Sequence, residues 1–210
     1  MIYSILDTDL YKFTTSYAYI KLFPNAQGTF SFTDRDHTAY SDRFLAELKD
    51  AIDNMRRITL TGDELEYMAH SCRFLPRVYW EWLSSFRFQP EKVKISLDEE
   101  RHLHMEVTDY MYKVTLYEVP LLALVSEVKN QVSGNIPDLT QVTERLVDKV
   151  ALSNRHHLSF SEFGTRRRFS FDVHDTVIGY LKQHALYCTG TSNCYFAMKY
   201  GMRPMGTHPH

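Results

Sequence analysis

Apolar residues recur at helical spacing near the start of the chain: Leu10, Phe13, Tyr17 and Ile20 share one face, and Pro24 follows them. Between Gly28 and Thr33 the pattern changes to alternation, with Phe30 and Phe32 separated by small residues, so a strand is expected there. Phe44, Leu48, Ile52 and Met55 mark a second helix. Thr61 with Glu64 has the capping-box spacing for a third, carrying Leu65 and Met68. Val93, Ile95 and Leu97, then Leu103, Met105 and Val107, alternate on either side of Asp98-Glu99-Glu100 and predict a hairpin.

From Tyr117 helices dominate. One holds Leu121, Leu124, Val125 and Val128 and ends near Ser133-Gly134-Asn135. A second has Asp138 and Gln141 as capping residues and a stripe of Leu139, Val142, Leu146 and Val150. The last third then repeats a short apolar stretch and a polar end three times. Phe160 leads into Phe163-Gly164-Thr165-Arg166-Arg167-Arg168, Leu186-Tyr187-Cys188 into Thr189-Gly190-Thr191-Ser192-Asn193, and Pro204-Met205 into Gly206-Thr207-His208-Pro209-His210. Helical patterns separate them, with Asp172 and Ser192 as candidate caps and Gly201 as a candidate helix terminator. This alternation predicts β–α units of a parallel sheet, whose strand C-terminal ends hold ligands. The fold class is therefore α/β: a mixed α+β domain over residues 1–115, then the first β–α units of an irregular α/β barrel over 116–210. Three such steps cannot close an eight-stranded barrel, so the 210 residues are expected to be the truncated front part of a longer enzyme.

Composition narrows the chemistry. With 24 basic and 26 acidic residues the net charge is −2, which argues against a nucleic-acid surface and makes the three arginines a local feature. Three cysteines without C-x-x-C spacing point to reduced thiols, and no signal peptide or membrane-length apolar run is present, so a cytoplasmic protein is expected. His102 and His104 on the hairpin, and His156-His157 at a helix end, match no known zinc spacing, and no metal ligand set is expected. Tyr79, Trp80 and Trp82 fit core and interface better than base stacking.

The three strand ends offer guanidiniums for phosphate, hydroxyls, backbone amides at a helix start, and an imidazole. On an extended backbone the arginines would alternate sides, sending one or two toward a ligand and the rest toward solvent or a carboxylate. Together with Asp7-Thr8-Asp9-Leu10-Tyr11-Lys12 at the front, these motifs resemble the nicotinate phosphoribosyltransferases along essentially the whole chain. The resemblance implies synthesis of nicotinate mononucleotide and diphosphate from nicotinate and phosphoribosyl diphosphate, coupled to ATP hydrolysis and assisted by Mg²⁺. It implies that Phe163 stacks on the pyridine ring and that Arg166, with Arg167 as a second candidate, binds phosphate. Ser192 stands where nicotinamide-using relatives carry an aspartate, and so favours nicotinate. Thr207 matches a substrate-contacting threonine, and counting from it selects His210, not His208, as the histidine phosphorylated by ATP; Pro209 departs from the small residue usual there. Tyr11 would cross to a neighbouring subunit's ring-binding site, implying a homodimer. Two rivals stand beside this reading: a nicotinamide- or quinolinate-using enzyme of the same fold, and a non-catalytic ligand-binding or dimerisation piece.

Overall fold

The computed structural model describes residues 1–206, so Thr207 and His210 lie outside the described residues. Helix α1 (Leu10–Leu22) leads into strand β1 (Gln27–Ser31), followed by helices α2 (Asp42–Asn54), α3 (Gly62–Ser71) and α4 (Arg77–Ser85). Strands β2 (Val93–Leu97) and β3 (Leu103–Tyr110) form the expected hairpin, with Val93 opposite Val107, Ile95 opposite Met105 and Leu97 opposite Leu103. Strand β1 adds to the other edge of β3, completing an antiparallel sheet ordered β1-β3-β2. Helices α5 (Met111–Val132) and α6 (Leu139–Arg155) precede strand β4 (Phe160–Glu162), helix α7 (Phe171–His184), strand β5 (Cys188–Thr191) and helix α8 (Cys194–Tyr200).

Several caps predicted from local spacing are present. Thr61 and Glu64 form the reciprocal capping box, and Asp138 accepts from the amides of Thr140 and Gln141. Gly201 ends α8 at φ +57, a left-handed backbone that glycine adopts without a Cβ penalty. Two caps differ from expectation. Ser170, not Asp172, caps α7, and Asn193, not Ser192, caps α8.

Other boundaries shift as well. Helix α5 starts at Met111, six residues before the apolar stripe becomes regular, and carries Pro120 in its interior. Helix α4, for which no helix was predicted, buries Tyr79, Trp80 and Leu83 on one face. The second β–α strand is the polar segment Cys188–Thr191 rather than Leu186–Cys188; Leu186 is exposed. Strands β4 and β5 are parallel, as predicted, but the third strand contracts to one parallel bridge between Thr191 and Pro204.

Two apolar clusters hold these elements. The larger combines α1–α5 and the antiparallel sheet around Phe13, Phe44, Trp80 and Tyr117, and its buried α5 residues include Leu121, Leu124 and Val128. The smaller, around Val150, Phe171, Ile178, Leu181, Phe196 and Met202, packs α6, α7 and α8 together. Cys194 belongs to the first cluster and Phe196 to the second, so α8 joins them. No helix among the described residues is long and apolar enough to cross a membrane.

Candidate active site

The site forms because residues 6–10 lie across the end of β5. The amide of Leu10 donates to the Ser192 carbonyl at 2.9 Å, that of Cys194 to Thr8 at 3.1 Å, and that of Tyr195 to Leu6 at 2.9 Å. An antiparallel bridge joins Asp9 to Asn193. The acidic pair Asp7 and Asp9 is thereby buried beside the C-terminal ends of both parallel strands.

The three arginines separate because Thr165–Arg167 is a 3₁₀ turn rather than an extended segment. Consecutive side chains on such a turn diverge by about 120° instead of alternating. Arg168 points inward, 1 % exposed, and donates from Nη1 and Nη2 to Asp7 at 2.7 and 3.0 Å. Arg167 is exposed. Arg166 lies between these extremes at 40 % exposure, with Nε 3.3 Å from Asp9 and Nη1 donating to Glu118 at 3.1 Å. Its Nη2 makes no hydrogen bond among the described residues, leaving a fixed cation with donor capacity to spare. Helix α5 supports the turn: Ser126 Oγ donates to the Arg168 carbonyl and Asn130 Nδ2 to that of Phe169.

Asn193 and Glu162 tie the strand ends together. Asn193 donates to Asp7 at 2.8 Å and to Thr165 at 3.2 Å, while its Oδ1 accepts from the Phe196 amide. Glu162 accepts from Thr191 Oγ1 at 2.6 Å, pairs with His174 Nε2 at 3.0 Å, and also receives the Gly164 amide. Burial alone would raise its carboxyl, but these hydrogen bonds and the His174 charge outweigh it and hold the group below its ordinary value.

Five predicted residues fall within the described region. Phe163 is exposed at the end of β4, and Arg166 follows it on the same loop. Tyr11 is buried: its ring centroid lies 5.5 Å from the Arg166 guanidinium carbon and 4.7 Å from Lys12 Nζ. Burial raises its hydroxyl above the ordinary tyrosine value. Arg167 stands apart from the cluster. Ser192 is fully buried and donates to Asp9 at 2.7 Å. The amides at the start of α8 are not open to an anion, because Ser192, Asn193, Cys194, Tyr195 and Phe196 all donate to protein acceptors.

Lys12, Glu118, Glu162, Arg168 and Asn193 were not singled out from the sequence. Glu118 pairs with Lys12 as well as Arg166, so two carboxylates, Asp9 and Glu118, face two cations. Burial raises the Asp9 carboxyl, opposed by the Ser192 hydrogen bond and the Arg166 charge. The readable signal was Asp7 and Asp9 inside the apolar context of Ile5, Leu6 and Leu10: buried carboxylates need partners.

Known proteins resemble this chain in sequence and in fold. Residues 6–126 match the model of the nicotinate phosphoribosyltransferase N-terminal domain, and residues 158–210 match the nicotinate phosphoribosyltransferase family. Nicotinate phosphoribosyltransferases of Methanosarcina mazei and Chromohalobacter salexigens are 39 % and 37 % identical to this chain, with all of it aligned to 56 % and 54 % of theirs. The crystal structure of the Porphyromonas gingivalis enzyme superposes with a TM-score of 0.97 at 45 % identity, over 100 % of this chain and 54 % of that one. The Vibrio cholerae enzyme gives 0.88 at 26 % identity, over 98 % and 51 %. The chain therefore spans about half the length of the relatives it matches. With the N-terminal-domain match alone covering more than half of its residues, this chain belongs to the nicotinate phosphoribosyltransferase family.

Proposed function

We propose that the protein carrying this chain forms nicotinate mononucleotide and diphosphate from nicotinate and phosphoribosyl diphosphate, with ATP hydrolysis, in the salvage of pyridine nucleotides in the cytoplasm. The observation that carries the reading is Arg166: a positioned, partly exposed guanidinium, three residues after the exposed ring of Phe163 and beside Tyr11. Arginine keeps its charge at any working pH and binds phosphate oxygens in a planar fork, which suits a substrate whose leaving group is diphosphate.

The pyridine nitrogen has a free lone pair, so attack on the anomeric carbon needs no general base. The protein must hold the ring, neutralise charge that develops on the departing diphosphate, and exclude water. Phe163 would supply the ring face and Arg166 the charge. Asp9 and Glu118 keep Arg166 in place while leaving Nη2 for the ligand. Arg166 beside Asp9 balances the carboxylate that bonds to Ser192. Ser192 itself reaches the ring only by exchanging its bond to Asp9.

Mg²⁺ would neutralise diphosphate in such a reaction, but Asp7, Asp9 and Glu118 do not fit as its ligands here, because Arg168, Arg166 and Lys12 already hold them. The occupied amides of α8 likewise offer no cradle for ATP phosphates. Both groups would depend on residues beyond those described, His210 among them as the acceptor of the ATP phosphoryl group. We further propose a homodimer in which Tyr11 serves the neighbouring subunit, which would require uncovering its ring.

The natural gene product should be offered nicotinate, nicotinamide and quinolinate with phosphoribosyl diphosphate, and its sedimentation recorded. Nicotinate is expected to dominate, and a dimer to sediment. Preference for nicotinamide would overturn the Ser192 argument, and turnover of none would overturn the reading. The 210-residue chain alone is expected to be inactive, since it spans about half of its relatives.

A further inference from the structure

Away from this site, the tip of the β2–β3 hairpin gathers metal-ligating side chains that no part of the proposed reaction uses. Asp98 is oriented by its own turn: Oδ1 accepts from the His102 amide at 2.8 Å, leaving Oδ2 directed at imidazoles. His104 Nε2 lies 2.9 Å from that oxygen and His102 Nδ1 lies 3.6 Å from it. His102 Nδ1 is also 3.6 Å from Glu100 Oε2, and one ligand atom from each of Asp98, Glu100 and His102 falls within a 4.8 Å group. The two histidines flank the inward-facing Leu103, so strand alternation puts them on the same outer face.

A second chain segment converges there. The His37 ring stands edge-on to His102 with centroids 5.7 Å apart, on a left-handed backbone at φ +50. Its loop is fixed at both ends. Asp34 accepts from the Asp36 and Thr38 amides and the Tyr40 hydroxyl, and Tyr40 exchanges hydrogen bonds with Arg101 in the hairpin turn at 2.9 and 3.0 Å.

We propose that Asp98, Glu100 and His102, with His37 and His104 alongside, form a binding site for a divalent transition metal of the zinc class. Donors about 2.0–2.2 Å from a tetrahedral ion sit roughly 3.3 Å from one another. His102 Nδ1 lies 3.6 Å from both Asp98 Oδ2 and Glu100 Oε2, close to that value, so ligation by these three needs only small side-chain adjustments. Imidazole with carboxylate selects zinc, cobalt, nickel or copper over magnesium and calcium, which prefer all-oxygen shells. The sequence spacing alone does not show the site, because Asp98 and Glu100 come from the turn and His37 from a distant loop. An ion held there would clamp the 34–40 loop to the hairpin.

The test is titration of the 210-residue chain with Co²⁺, in a background with His208→Ala and His210→Ala so that the terminal histidines cannot chelate. One equivalent is expected to bind in the micromolar range, with the visible d–d bands of tetrahedral cobalt, and Zn²⁺ should displace it. Asp98→Asn and His102→Ala are each expected to weaken binding by about tenfold or more, while His156→Ala with His157→Ala leaves it unchanged. The ligands are at the surface, so unchanged circular dichroism separates lost binding from lost fold. Binding only at millimolar metal, or equal affinity in the His102→Ala/His104→Ala double variant, would overturn the proposal.

Discussion

Three consecutive arginines occupy three environments, and the cost of losing each should differ accordingly. Arg168 and Asp7 are a fully buried bidentate pair, so Arg168→Ala leaves an uncompensated carboxylate and should destabilise by about 3–5 kcal/mol. Arg167→Ala at an exposed position should stay within about 0.5 kcal/mol of wild type. Urea unfolding measures both, and similar losses would contradict the assignment. Glu162 makes a second prediction. Its folded carboxyl lies below its unfolded value of about 4.3, so its stabilisation is complete above that pH and is lost as pH falls through the folded value. Between about pH 6 and the acid limit, Glu162→Gln should therefore lose stability less steeply than wild type below about pH 4.3. Parallel curves would show that Glu162 is not held in its charged form.

Among the elements, Asn193 stands out because one side chain caps α8 and bonds to both Asp7 and Thr165. Ser170 only caps α7. Ser170→Ala should cost about 0.5–2 kcal/mol. Asn193→Ala should cost that and a further 1–3 kcal/mol or so, because buried partners lose a hydrogen bond. Thermal unfolding compares them, and a milder Asn193→Ala would count against its role as the tie between strand ends. These caps also mark what could be read from sequence. The hairpin register, the Thr61–Glu64 box and the α2 stripe follow from contacts within a few residues, and were legible. Ser192 was misassigned as a cap because its hydroxyl is taken by Asp9, 183 positions away, and no local spacing encodes that partner. Strand β5 was placed too early for a related reason. Cys188–Thr191 is pinned by pairing with β4 and the Pro204 bridge rather than by its own apolar content.

At the scale of the molecule, the two clusters meet at α8, and residues 6–10 lie across the same junction. The site is thus built from parts of the chain that are far apart in sequence: Asp9 and Tyr11 near its start, Glu118 on α5, and Arg166 and Ser192 at strand ends. The motifs of the last third pointed to the rim, but its internal wiring arises only when the chain's first residues close over it. The central claim is that this wiring presents Arg166, and not its neighbour, to a phosphorylated substrate. The most direct measurement is kcat/KM for phosphoribosyl diphosphate in the natural gene product carrying Arg166→Ala or Arg167→Ala. The account predicts a loss on the order of a hundredfold for the first with folding intact, and near-wild-type values for the second. Equal losses, or a greater loss at Arg167, would contradict it.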